Sequence, residues 1–155
     1  METPRKEKRT HRVVIFDFDS TLSEPQYVAR HKAWAIADKP QLLDTLSTEE
    51  RIANFGGRHR VDALDALLGS LLASNAEVYI VSLGFKCAIV PQLETVGLLR
   101  HFDQSRIYGQ DSDALRGVHY VKADLIALLV EANCWRAADV LFVSEPIVYS
   151  PTVGT

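Results

Sequence analysis

Four short apolar runs punctuate the chain: Val13-Val14-Ile15-Phe16, Val78-Tyr79-Ile80-Val81, a brief one at Ile107-Tyr108, and Val140-Leu141-Phe142-Val143. Unbroken runs of this length, rich in β-branched residues, suit strands covered on both faces, the usual state in a parallel sheet. Helical patterns separate them. Ser47 with Glu50 three residues later forms a capping box that opens a helix near Thr48 to Asn54, closed by Phe55-Gly56-Gly57. From Arg58, the residues Val61, Leu64, Leu67, Leu68, Leu71 and Leu72 recur at three- and four-residue spacings, an apolar stripe for packing on a sheet, and Ser74-Asn75 ends it. Phe85 to Val96 predicts a helix stopped by Gly97, in which Pro91 fits only near the first turn or at a kink. Lys122 opens a helix over Ala123 to Ala132 with Leu125, Ile126, Leu128, Leu129 and Val130 as its apolar positions. Gln26 to Asp38, bracketed by Pro25 and Pro40, predicts a further short helix, and Gln110 to Gly117 a polar loop.

Strands alternating with helices predict an α/β domain whose crossovers are right-handed. The expected order places Val13–Phe16 at the centre, Val78–Val81 on one side and Val140–Val143 on the other. Ile107 lies beyond Val78–Val81. At 155 residues the chain makes one domain with a real core. Its 47% hydrophobic and 24% charged content is ordinary for a globular protein, and a net charge of −3 gives no strong nucleic-acid signal. The charge is uneven at the start: Arg5, Lys6, Lys8, Arg9 and Arg12 crowd the first dozen residues, a basic tail (residues 1–11) compatible with nuclear targeting or with plain solvation. No apolar stretch resembles a signal peptide or a bilayer span, so no membrane partner is expected. Cys87 and Cys134 sit in no metal-spaced motif and are expected to be reduced and structural, which places the protein in the cytoplasm.

The chemistry gathers where the strands end. Asp17 and Asp19 follow the first run directly, at the end of a strand where open α/β sheets bind ligands. In extended backbone both start on the same side. Two such close carboxylates repel, and a divalent cation relieves this. Mg²⁺ is the natural choice, since it takes oxygen ligands from one or two carboxylates plus phosphate and water. The second strand ends in Ser82-Leu83-Gly84, where a hydroxyl, a backbone N–H and a following helix N-terminus offer anion-binding groups. An Asp/Ser turn after a strand, an N-cap serine and a surface lysine at a helix start are the ordinary alternatives for these residues taken singly.

Together they resemble a known family. Asp17-Phe18-Asp19-Ser20-Thr21 after an apolar strand looks like motif I of the haloacid dehalogenase (HAD) superfamily, most of whose members are phosphohydrolases. Ser82-Leu83-Gly84 resembles its motif II, and Lys122, ahead of the helix leading to the fourth strand, its motif III, with Arg116 as a substitute. The run from Val96-Gly97-Leu98-Leu99 through Phe102-Asp103 to Tyr108-Gly109 is HAD-like as well. The resemblance implies a Rossmann-like core with a small helical cap, drawn from about thirty-five inserted residues between Leu22 and Gly56. Arg30, His31 and Trp34 are its candidates to face substrate. It implies Mg²⁺-dependent phosphomonoester hydrolysis through an aspartyl-phosphate on Asp17. Asp19 is the implied general acid and base. Ser82, the Leu83 N–H and Lys122 hold the phosphoryl group, Thr21 braces the aspartates, and Asp17, the Asp19 carbonyl and Glu145 hold the metal. The substrate is a phosphorylated small molecule or macromolecule.

The fourth motif departs from the pattern. Family members place acidic residues, commonly a pair, after the fourth strand, whereas this chain has Ser144-Glu145-Pro146 with ten residues beyond Glu145. Serine is a poor ligand for a hard cation. A second reading therefore stands beside the first: a catalytically weakened or inactive HAD-like phosphate-binding or interaction protein. A receiver-type signalling domain fits worse, because its phospho-acceptor Asp should end a middle strand and here those strands end in Ser82 and Tyr108-Gly109.

Overall fold

The computed structural model describes residues 12–23, 41 and 44–144. Four parallel strands, β1 (Val13–Phe16), β2 (Glu77–Val81), β3 (Ile107–Tyr108) and β4 (Val140–Val143), form one sheet in the order β3-β2-β1-β4. This is the expected order. β1 is paired on both sides, Val13 to Phe16 lying opposite Glu77 to Ile80 of β2 and Val140 to Val143 of β4. All four of its residues are buried, as an uninterrupted apolar run requires. β3 is two residues long and pairs only with the end of β2, Ile80 with Ile107 and Val81 with Tyr108.

The α-helices that lie wholly within the described residues are α1 (Thr48–Asn54), α2 (Arg58–Ala73), α3 (Lys86–Val96), α4 (Asp113–Arg116) and α5 (Lys122–Ala132). They divide over the two faces of the sheet. Val14, Phe16, Val78, Ile80 and Ile107 pack with Val61, Leu64 and Leu68 of α2 and Ile89, Leu93 and Val96 of α3. Val13, Ile15, Tyr79 and Val81 pack on the other face with Leu115 and Leu125 of α4 and α5. Two crossovers thus run over one face and the return from β3 to β4 over the opposite one. The reversal falls between β1 and β4, and it is in the crevice at the C-terminal ends of such a strand pair that sheets of this kind bind ligands.

Local signals explain the helix ends. The Ser47 hydroxyl accepts from the Glu50 N–H at 3.1 Å, one half of the expected capping box. Gly97 takes the left-handed conformation, φ 81°, and closes α3. Pro91 lies within α3, not in its first turn. Around it Gln92 is buried, bonds back to the Ala88 carbonyl at 3.1 Å, and lies 3.5 Å from the Asn54 amide of α1. This polar pair, with Arg51 donating to Thr95 at 2.9 Å, docks α1 on α3.

Four expectations need correction. The stripe on α2 is narrower than its sequence suggests: Val61, Leu64 and Leu68 are buried, but Leu67 and Leu72 face outward, because one sheet face covers only about a third of a helix. The segment 110–117 is not all loop. It holds α4, with Leu115 fully buried in the second core. β4 takes its expected place beside β1 but is not covered on both faces among the described residues, with Leu141 59% exposed and Leu128 of α5 also uncovered. Cys87 and Cys134 are free thiols at the surface and pack in neither core. Among the described residues no helix is long and apolar enough to cross a membrane. The basic tail, the helix expected at Gln26–Asp38 with Arg30, His31 and Trp34, and Glu145 lie outside the described residues.

The two faces of α2 should respond differently to truncation. Leu68→Ala empties a fully buried position and is expected to cost about 2–5 kcal/mol. Leu67→Ala should stay within about 0.5 kcal/mol of wild type. Urea denaturation of both variants checks this, and equal losses would contradict the assigned faces.

Candidate active site

The site begins where β1 runs out. Backbone pairing continues one residue past the strand, the Asp17 N–H donating to the Val143 carbonyl at 2.9 Å, so Asp17 is fixed in the crevice between β1 and β4. One carboxylate oxygen, Oδ1, accepts from the Phe18 N–H at 2.7 Å. The other, Oδ2, lies 3.1 Å from Lys122 Nζ at the first residue of α5. Both side chains are largely covered, 16% and 25% exposed, so each charge depends on the other for part of its lost hydration. Behind the ammonium, 5.6 Å away, stands the ring of Phe142 from β4. The two residues are 105 positions apart in the chain.

Phe18 turns inward and meets Phe55 edge-to-face at 5.8 Å, anchoring the loop in the core. Its carbonyl then accepts from Thr21, Leu22 and Ser23 at 3.2, 3.0 and 3.0 Å, winding the chain into a tight turn that carries Asp19 and Ser20. Ser20 holds φ 61°, a left-handed conformation that a non-glycine residue adopts only when its surroundings impose it. The Thr21 hydroxyl is buried and makes no hydrogen bond among the described residues, so the expected bracing of the aspartates by Thr21 is not formed. The Thr21 carbonyl accepts from the Arg60 guanidinium at 2.6 Å.

β2 delivers the second wall. Ser82 is fully buried, bonded through its N–H to the Tyr108 carbonyl at 2.9 Å, and its hydroxyl accepts from the Gly84 N–H at 3.0 Å. Gly84 is where the walls meet. A Cβ at that position would lie 3.3 Å from Asp19 Oδ2 and 3.3 Å from Ser82 Oγ, so the bare backbone is what lets the carboxylate and the hydroxyl sit this close to the turn. Leu83, between them, projects its side chain outward. Asp17, Asp19, Ser82, Leu83 and Lys122, read from scattered motifs, thus lie at the C-terminal ends of β1 and β2 and the start of α5.

The N-terminus of α3 does not face this site with free amides, as the sequence suggested. Asp111 occupies it: its carboxylate accepts from the Lys86 N–H at 2.6 Å and the Cys87 N–H at 3.2 Å. The next two amides, of Ala88 and Ile89, bond to the Phe85 carbonyl. Burial alone would raise the Asp111 carboxyl, but these amides outweigh it and hold it below the usual carboxylate range. The packing needs Gly109, where a Cβ would overlap the Lys86 nitrogen and lie 2.6 Å from the Gly84 carbonyl. Asp111, Gly109 and Arg60 were not foreseen. Asp111 sits in a polar stretch that no spacing links to α3, and Arg60 reads as a solvated residue in the first turn of a helix.

The metal-binding expectation meets an oxygen-only donor set. The described residues hold no group of three or more His, Cys, Asp or Glu side chains fit for a metal ion. The carboxylate oxygens of Asp17 and Asp19 are the donor type that Mg²⁺ takes, one or two carboxylates with water and phosphate completing its shell. They do not fit zinc, which prefers nitrogen and sulfur.

No protein-family model and no curated protein sequence matches the chain. Among solved structures it is similar to a phospho-aspartyl intermediate analogue of phosphoserine phosphatase, with 16% identity, 88% of this chain and 78% of that one covered, and a TM-score of 0.45. It is similar to a substrate-bound phosphoserine phosphatase complex at 15% identity, with 88% and 79% covered and a TM-score of 0.46. A phosphoserine phosphohydrolase-like protein from Francisella tularensis is similar at 18% identity, with 63% and 57% covered and a TM-score of 0.35.

The Asp111 cap carries a pH signature. Its carboxyl titrates lower in the folded chain than unfolded, so its stabilisation is complete above the unfolded value, near ~3.9, and is lost as pH falls through the folded value. Asp111→Ala should lower stability by about 1 kcal/mol at neutral pH. The gap between variant and wild type should narrow as pH drops below about 4. Urea titrations at neutral and acid pH measure the gap, and one that does not change with pH would contradict the cap.

Proposed function

We propose that this protein is a phosphomonoester hydrolase of HAD type that works through an aspartyl-phosphate on Asp17. The observation that carries the reading is the Asp17–Lys122 pair at 3.1 Å in the crevice at the sheet's reversal point, with Asp19 and Ser82 converging on Gly84 beside it. A carboxylate is a weak nucleophile, and here its position does most of the activation. The Phe18 N–H and the Lys122 ammonium fix both oxygens, so that little orientational freedom is left to lose on attack.

In the first step an Asp17 oxygen bonds to phosphorus, the bond from phosphorus to the leaving oxygen breaks, and the Asp19 carboxyl gives that oxygen its proton. In the second, Asp19 takes a proton from water, the water oxygen bonds to phosphorus, and the Asp17–phosphorus bond breaks to release inorganic phosphate. The Ser82 hydroxyl and the Leu83 N–H hold the phosphoryl oxygens. Lys122 balances the negative charge that attack brings onto the site. Asp17, the Asp19 carbonyl and Glu145 would hold Mg²⁺, which supplies neutralising charge to the phosphoryl oxygens when bound. The substrate is a phosphorylated small molecule or macromolecule.

Ser144 favours the second reading, a phosphate-binding protein with weakened turnover, because it stands beside the site in place of a carboxylate. Hydrolysis of an aryl phosphate with and without Mg²⁺ separates the two. The hydrolase reading expects Mg²⁺-dependent turnover that is lost in Asp17→Asn. Asp19→Asn should lower kcat by about 10²–10⁴-fold, and Lys122→Met by about 10²–10³-fold. Full activity in Asp17→Asn would remove the nucleophile assignment. A folded wild type that binds vanadate without turnover would establish the second reading.

A further inference from the structure

We propose that Arg60 is a positioning residue that sets the place of the Asp19 carboxylate by clamping the backbone on which it is carried. Its guanidinium makes three hydrogen bonds to main-chain carbonyls. Nη2 donates to Thr21 at 2.6 Å, and Nη1 donates to Leu22 at 2.5 Å and to Phe55 at 2.9 Å. Thr21 and Leu22 end the turn that carries Asp19, and Phe55 is the residue at which α1 ends. One side chain therefore joins the turn to a residue 33 or 34 positions further along the chain.

Two features make this clamp consequential. The turn is strained at Ser20, φ 61°, and such a conformation persists only while its surroundings over-determine it. Within the turn, Phe18 O takes three N–H groups and the Ser23 hydroxyl accepts from the Ser20 N–H at 3.1 Å. Those bonds lie within the turn. Arg60 adds hydrogen bonds that run from α2 to the turn and to the Phe55 carbonyl, beside the packing of Phe18 on the fully buried Phe55. Room for it is also built in. Gly56, at φ 90°, would place a Cβ 2.7 Å from Arg60 Cδ, so the bare residue lets the side chain pass to its carbonyls. The planar fork matters as well. Three carbonyls shared between two nitrogens match a guanidinium, whereas a lysine offers one compact point charge.

The test combines a structural and a kinetic readout on the full chain; only the kinetic one rests on the hydrolase reading. In Arg60→Lys, hydrogen exchange at the amides of Thr21, Leu22 and Ser23 should rise by about tenfold or more, the loss of a charge-assisted hydrogen bond, while β2 amides stay unchanged. The kcat for an aryl phosphate should fall by about 10²-fold, the effect of an ångström-scale misplacement. KM should move by less than about threefold, because the clamp does not touch substrate. Millimolar guanidinium added to Arg60→Ala should recover part of both. Unchanged exchange at these three amides would overturn the clamp. So would exchange that rises equally in β2, or variants that no longer unfold cooperatively, since Arg60 would then support the fold at large. A wild type without turnover would defeat the hydrolase reading, and the exchange result would still decide on Arg60.

Discussion

The ion pair between Asp17 and Lys122 is the constraint on which the rest of the site depends. Both charges are mostly covered, and a charge taken from water without a partner costs several kcal/mol. The fold must therefore bring the end of β1 and the start of α5 together across 105 residues. It does so through the sheet order. β1 is central, the chain moves outward through β2 to β3, and α5 brings it back on the opposite face to β4. The reversal leaves Asp17 in a crevice with β4 beside it, and Lys122 reaches that crevice from above Phe142.

Around that pair the loops hold one another by backbone contacts more than by side-chain packing. The turn after Asp17 is wound on the Phe18 carbonyl and fastened by Arg60. The turn after β2 is threaded between Ser82, Asp19 and Gly109, where contact distances require glycine at 109 and make a Cβ at 84 a tight fit. The Asp111 carboxylate closes the start of α3, so this helix spends its first amides on the protein itself. An anion at the mouth would meet the Ser82–Gly84 turn and Lys122, not the end of a helix dipole.

The strands were legible because burial on both faces leaves unbroken apolar runs, and the same runs fixed their order once the helical stretches between them were seen. Asp17, Asp19 and Ser82 were legible because polar groups at the ends of such strands stand out against apolar sequence, and Lys122 only because its place ahead of the helix leading to the fourth strand resembles a family motif. Contacts between loops left no periodic trace. Arg60 and Asp111 act through main-chain atoms of distant segments, and nothing at their own positions distinguishes them from surface charges. What stayed hidden was the exposure of β4: Val140–Val143 is as apolar as Val13–Phe16, yet Leu141 is exposed, and among the described residues no strand or helix covers that side. The expected bond from Thr21 failed for a related reason. The tight turn buries its hydroxyl and presents its carbonyl to Arg60.

The most direct test of this account is to trap the phosphoryl group on the protein. Brief exposure to an aryl phosphate with Mg²⁺, followed by borohydride, reduces an acyl phosphate on aspartate to homoserine, which peptide mapping then locates. The account predicts homoserine at position 17, absent from Lys122→Met treated for the same time and from wild type without substrate. Turnover with no modified aspartate, or with the modification at Asp19, would contradict it.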